Sequence, residues 1–320
     1  MTATSVSITG WWKMKATLAS LRDVPTSLRP KATLWYYTHT VSAIRRAGPH
    51  AKVGGPAPGS YLSLFGRALI DVLTGSAARG EVPFGFLCFH GYANDPRWFW
   101  KEIDYMKGKL AKYRQLSHVE TMIDQWNMDL GNPILDPNFQ PAFVLETTQS
   151  FYQKGLTRSS YYQIRDYFVD PNAFLPFFSP AGTGFMAHWW NEMPQFDGLY
   201  DKQNRARPAY YALKLLSLIK GEQLPVTGTN HDLHAVAARG EPWINVVLWN
   251  FPLEGKGKML DVIVRFAFEK RGGVRLVRLI AGASVNNLEQ VRSVGVPDLE
   301  AHPLRLSLRP YVMYWIEVTE

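Results

Sequence analysis

Apolar residues recur along this chain in two rhythms, and the change between them divides it. Across residues 32–47 they fall at helical spacing and stop at Gly48-Pro49. Residues 51–53 follow as a short strand ending in Gly54-Gly55-Pro56, and 60–74 as an amphipathic helix. The apolar run 82–89 reads as a strand ending in His90-Gly91-Tyr92. A helix is predicted over 97–114, a strand over 119–123, and a helix over 139–152 with Glu146 and Gln149 on its polar side. Residues 159–164 form a strand ending at Arg165-Asp166, and 183–190 a further strand or part of a long loop. Residues 207–219 make a strong helix opened by Pro208. Residues 1–30 show no clear period.

Alternating helix and strand is the signature of a parallel sheet or barrel with crossover helices. In such folds the site lies at the C-terminal ends of the strands. The polar tips there are Gly54-Gly55, His90-Gly91-Tyr92, Asp124-Gln125-Trp126-Asn127 and Arg165-Asp166. After Gly221 the pattern becomes short strands, over 243–249, 260–268, 274–280, 304–308 and 312–318. That predicts an antiparallel β-sandwich. The expected class is thus α/β plus all-β, with domains 1–221 and 222–320 and the boundary near 222–230.

Composition narrows the function. The chain has 320 residues, 46% of them hydrophobic, ample for a large core. Its net charge of +8 lies wholly in residues 1–221, since the remainder holds equal numbers of basic and acidic residues. No dense Lys/Arg run or nucleic-acid motif accompanies it, so a soluble basic surface is expected rather than a nucleic-acid partner. Cys88 is the only cysteine, so no internal disulfide or thiolate cluster forms. No His/Asp/Glu cluster has metal-ligand spacing, so no metal or cofactor is expected. No Gly-x-Ser-x-Gly elbow appears. No apolar run reaches membrane-spanning length, and residues 1–20 lack a signal-peptide core. The expected location is cytoplasmic, or secreted if a leader has been removed.

The stretch Met122-Ile123-Asp124-Gln125-Trp126-Asn127 resembles the strand end that carries the nucleophilic Glu in retaining β-glycosidases built on (β/α)8 barrels. There an apolar run leads into Thr-Glu-Trp or Thr-Glu-Phe and then Asn. Other landmarks fall in matching order: Lys52-Val53-Gly54-Gly55-Pro56-Ala57, Phe86 to Tyr92, Ser160 to Asp166, Asp197-Gly198-Leu199-Tyr200 and Arg207 to Lys214. Together, over residues 33–320, they resemble family 39 glycoside hydrolases, the β-xylosidase family. The resemblance implies a TIM-type barrel followed by a β-sandwich, and a small β-linked xyloside or related glycoside as substrate. Two departures stand out. The family's Asn-Glu-Pro acid/base motif is absent, and too little chain precedes residue 33 for four βα units, which implies a truncated barrel. The nucleophile position holds Gln125, and an amide is no anionic nucleophile.

Retaining glycosidases place two carboxyl groups about 5–5.5 Å apart and inverting ones about 6.5–9.5 Å. The candidate carboxylates are Asp124, Asp166 and Glu192. Strand neighbours point to opposite faces, so Asp124 faces the helices if Gln125 faces the barrel axis. Asp124 reads equally as a turn cap, Asp166 as a salt-bridge residue and Glu192, after Trp189-Trp190-Asn191, as a solvated loop residue. His90 and Tyr92 share a face if their strand persists, and the resemblance implies that they contact the sugar or position the nucleophile. Trp126, Asn127, Trp189 and Trp190 complete the candidate binding residues, with core packing the alternative for each Trp. An open barrel would expose a strand edge and an apolar face, so residues 1–30, with Trp11 and Trp12, or a second copy of the chain are expected to cover them. The alternative to an enzyme is a non-catalytic carbohydrate-binding or assembly protein.

Overall fold

The computed structural model describes residues 5–7, 29–129, 136, 138–192, 197–240, 243–267, 274–281, 289–297, 299 and 301–319. The chain groups into two compact units. One comprises residues 1–127 and 149–162, the other 128–148 and 163–320.

The first unit is a parallel sheet of order β1-β2-β3-β4-β5. Its strands are β1 (Ser5–Ser7), β2 (Lys52–Pro56), β3 (Phe86–Tyr92), β4 (Glu120–Asn127) and β5 (Arg158–Tyr161). Between them run α1 (Pro30–Ala47), α2 (Leu64–Ala78) and α3 (Pro96–Leu110), while α4 (Phe139–Gln153) has residues 139–148 in the second unit and 149–153 in the first. Local chemistry sets the helix starts. Pro30 and Pro96 begin α1 and α3, where a missing N–H costs nothing. Ser63 caps α2 by accepting from the Gly66 N–H, and Asp95 caps α3 by accepting from that of Arg97. Phe99, Ile103, Met106 and Leu110 put a buried apolar stripe on α3.

Both candidate strand ends run further than the apolar runs suggest. β3 continues through Tyr92 and β4 through Asn127, so the polar tips are themselves strand. The span 1–30 is not wholly without structure, because Ser5–Ser7 pair in parallel with β2. Trp11 and Trp12 lie outside the described residues.

In the second unit, α5 (Pro171–Phe174), α6 (Pro180–Ala187), a π-helical turn (His188–Glu192) and α7 (Pro208–Leu218) precede the antiparallel strands. Residues 183–190 are therefore helix and not strand. The deciding signals lie upstream of the apolar run, where Pro180 starts the helix and Ser179 accepts from the Gly182 N–H. The strands are β6 (Glu222–Leu224), β7 (Leu233–Gly240), β8 (Trp243–Asn250), β9 (Leu260–Val264), β10 (Val274–Ala281), β11 (Glu289–Pro297), β12 (Leu304–Leu308) and β13 (Met313–Thr319). They form a sheet of order β11-β10-β13-β8-β7-β6 and a β12-β9 pair.

β8 is apolar apart from Asn245 and Asn250, because both its faces are covered. Ile244, Val246 and Leu248 join Ile316, Val318 and Leu308 in a core to which Val262, Val264, Leu304 and Leu306 of the two-stranded sheet add. On the other face Trp249 donates its indole N–H to Glu146 at 3.1 Å. Glu146 is thus buried, contrary to its expected place on a polar helix side. A carboxyl can occupy an apolar face when such a partner waits there.

Candidate active site

The site begins with which side chains share a face of the parallel sheet. Gly91 fixes the helix side of β3, since a Cβ there would run into the Trp98 ring of α3. Phe89 meets the same ring. By alternation, Phe86, Cys88, His90 and Tyr92 lie on the opposite face. Phe86 and Cys88 there form a cluster with Ala57 and Met122, and Met122 pairs directly with Cys88.

β4 then breaks its own alternation. Ile123 pairs with Phe89, yet the next pairs are His90 with Gln125, Gly91 with Trp126 and Tyr92 with Asn127. The same extra residue appears against β5, where Ile123 pairs with Ser159 and Trp126 with Tyr161. Asp124 is that residue, in a β-bulge where two residues oppose one. The bulge places Gln125 on the face of His90, Tyr92 and Met122. A regular strand would have left it with Ile123 on the helix side. The premise that Asp124 and Gln125 simply alternate therefore does not hold.

Oδ1 of the half-buried Asp124 is enclosed without a hydrogen-bonding partner among the described residues. Burial pushes its carboxyl up to about 7. A carboxyl in that condition holds its proton in mild acid and exchanges it near neutrality, as a general acid must. Asp124 also acts on Tyr61. Burial first, then the charges of Cys88, Asp124 and Glu102, hold the Tyr61 phenol well above its usual range.

The neighbours of this pair are fixed in place. His90 donates its backbone N–H to the Pro58 carbonyl at 3.0 Å, and its ring lies next to Gly59. Tyr92 meets Tyr162 edge to face at 5.8 Å. Asn127 is fully buried and spans to the β5 exit, donating from Nδ2 to the Tyr162 carbonyl at 2.6 Å and accepting from the Tyr161 hydroxyl at 3.3 Å. Trp126 faces the helices, packed edge-on against Phe99, Phe151 and Tyr161 at 1% exposure. It is a core side chain and offers no face for stacking.

The remaining candidates lie in the second unit. Asp166 is 2% exposed and ion-paired with Arg207, and it accepts from the Gly198 N–H at 2.8 Å. Both its oxygens thus anchor the loop before α7. Glu192 is exposed and pairs with His188 one helical turn away at 2.6 Å. Trp190 is buried against Tyr167, with ring centroids 4.8 Å apart. The Trp189 side chain lies outside the described residues. Among the described residues no group of three or more His, Cys, Asp or Glu is arranged to hold a metal ion.

Residues 21–253 match the family described as glycosyl hydrolases family 39. The chain belongs to that family. Solved structures agree on the fold. A glucosidase from Croceicoccus marinus aligns with TM-score 0.64 at 15% identity, over 91% of this chain and 65% of its own. A monomeric β-xylosidase from Caulobacter crescentus aligns with TM-score 0.64 at 16% identity, over 90% and 65%. A xyloglucanase of family 44 from Paenibacillus polymyxa aligns with TM-score 0.56 at 10% identity, over 91% and 61%. This family 39 chain thus spans just under two thirds of the length of these structures. No curated protein matches it.

Several supporting residues escaped the sequence reading. Glu102 of α3 is fully buried and holds the β2–α2 loop, accepting from the Ser60 hydroxyl and from the Tyr61 N–H at 2.8 Å. The Tyr61 hydroxyl in turn donates to the Cys88 carbonyl at 2.7 Å, beside the site. The available signal was a Glu set among the apolar positions Phe99, Ile103 and Met106 of one helix face.

Proposed function

We propose that the protein is a glycoside hydrolase acting on β-linked xylosides or related small glycosides, with its site at the C-terminal ends of the parallel strands. The observation that carries this reading is the bulge in β4. It puts Gln125 on the face of His90 and Tyr92, with Asp124, whose carboxyl burial pushes up to about 7, as the extra residue before it. Asp124 is the catalytic carboxyl in this reading, Gln125 occupies the nucleophile position, and His90 and Tyr92 contact the sugar. Asn127 holds the surrounding backbone.

The fold goes with this function. We take residues 1–221 as a truncated TIM-type barrel and 222–320 as a β-sandwich. The outer edge of β5, with Arg158, Ser159 and Ser160 exposed, is covered by a second copy of the chain in this reading.

The amide of Gln125 supports a second reading, a carbohydrate-binding protein without turnover. Hydrolysis of a panel of aryl glycosides by the chain and by Gln125→Glu separates the two. Turnover by the chain itself is expected. Binding of glycosides with no turnover in either protein would favour the second reading.

A further inference from the structure

Glu102 stands where a carboxyl is costly. It lies on the apolar stripe of α3 between Phe99, Ile103 and Met106 and is fully buried. Burial raises its carboxyl above the usual range. An acid in that setting destabilises the fold unless donors reach it. Its two donors both come from the loop between β2 and α2. The Ser60 hydroxyl donates to Oε1, and the Tyr61 N–H donates to Oε2 at 2.8 Å. Ser60 Oγ also accepts from the Leu62 N–H at 3.0 Å. The same loop is tied to β3. The Cys88 carbonyl accepts from the Ala57 N–H at 3.1 Å and from the Tyr61 hydroxyl at 2.7 Å. The Pro58 carbonyl accepts from the His90 N–H at 3.0 Å, and a Cβ on Gly59 would stand 3.6 Å from His90 Nε2. Pro58 and Gly59, between these ties, thus meet both the backbone and the ring of His90.

We propose that Glu102 is a positioning residue for His90, and that it sets sugar affinity at the strand ends through the β2–α2 loop without touching the sugar. The proposal rests on reading those strand ends as a glycoside site in which His90 contacts the sugar. On one side His90 is held by β4, where it pairs with Gln125. On the other side the pairing of β2 with β3 stops at Pro56 and Cys88. Beyond that point the loop takes over, with the Pro58 carbonyl serving His90 as a strand neighbour would. A loop has no ladder behind it to fix its place, and here the two bonds to Glu102 and the one from Tyr61 to Cys88 do so. An apolar side chain at position 102 would take the acceptor from the Tyr61 N–H and free the loop to shift. Hydrogen bonds to a ligand tolerate displacements of only about 0.5 Å, so a small shift of Pro58 and Gly59 reaches the sugar through the His90 ring.

The test follows two readouts by NMR, the dissociation constant for methyl β-xyloside and the ring signals of His90. Both are measured in the full chain, in Glu102→Ala and in Glu102→Gln. Glu102→Ala should shift the His90 ring signals and weaken the sugar about tenfold, the effect of one lost hydrogen bond. Glu102→Gln keeps an acceptor for the Tyr61 N–H and should restore most of the affinity. A merely structural role would lower the unfolding temperature of Glu102→Ala and leave both readouts of the folded protein as in the parent. That result overturns the positioning role and leaves the glycoside site standing. If Glu102→Ala does not fold, Ser60→Ala removes one of the two bonds and carries the same test. Unchanged His90 signals and affinity in Ser60→Ala overturn the proposal equally. Absence of sugar binding by the parent chain overturns both the proposal and the site on which it rests.

Discussion

A carboxyl group taken out of water must find donors or keep its proton. Four buried or half-buried acids of this chain differ in the donors they find. Asp166 has Arg207 and the Gly198 N–H as donors, and Glu102 has Ser60 and the Tyr61 N–H, though burial still raises the Glu102 carboxyl above its usual range. Asp124 and Glu146 are under-supplied, and burial pushes each up to about 7. Glu146 shares one oxygen between the Trp249 indole and, at 3.1 Å, the ring of His234, whose own pKa burial lowers. For Glu146 the unfolded carboxyl titrates near 4.5 and the folded one near 7. The native state therefore holds the proton more tightly, and this contribution to stability is full below pH 4.5 and lost as pH rises through 7. Glu146→Gln carries no such titration. The stability of the variant relative to the parent should rise by about 3 kcal/mol between pH 4.5 and pH 8, measured by urea unfolding. A difference that does not change with pH would contradict the assignment. The sequence made Asp124 and Gln125 visible through their neighbours. It could not show which acids have partners, because Arg207 and Trp249 lie 41 and 103 residues from the groups they serve.

At the scale of elements, β4 shows where pattern reading stops. Its apolar run gave the strand and its place, and the strand's polar tip marked the candidate site. Alternation alone then set Asp124 and Gln125 on opposite faces, because a bulge leaves no mark in a single sequence. Only pairing with β3 and β5 reveals it. The bulge is one residue long against both neighbours, which gives a direct test. Deleting Asp124 would bring Ile123 and Gln125 into regular pairing with Phe89 and His90. The deletion variant should therefore fold cooperatively, with a Tm within about 4 °C of the parent by circular dichroism. Failure to fold would mean that the register itself depends on the extra residue. A similar blindness explains 183–190, where Ser179 and Pro180 determine a helix just outside the apolar run. β7, which the pattern missed, is rich in alanine and carries little strand signal of its own, so pairing with β8 determines it.

For the molecule as a whole, the switch of rhythm after Gly221 was legible and corresponds to the onset of antiparallel pairing at β6. The grouping of residues 128–148 with the antiparallel sheets was not, since it depends on contacts such as Glu146 with Trp249. Among the described residues no helix is long and apolar enough to cross a membrane. Among the described residues the parallel sheet ends at β5, where Ser159 and Ser160 are exposed, and the proposed second copy would pair there. Sedimentation equilibrium should accordingly give a mass that is a multiple of the 36.3 kDa chain. A monomer at all concentrations would remove the second copy from the account.

In the proposed function Asp124, raised by burial and placed by the bulge, supplies the proton in glycoside cleavage. The most direct test is the pH dependence of kcat/KM for the best aryl glycoside, in the parent chain and in Asp124→Asn. Activity in the parent should fall with rising pH through a pKa of about 7, and that limb should vanish in Asp124→Asn along with at least ~100-fold of the rate. An unchanged rate and profile in Asp124→Asn would contradict it.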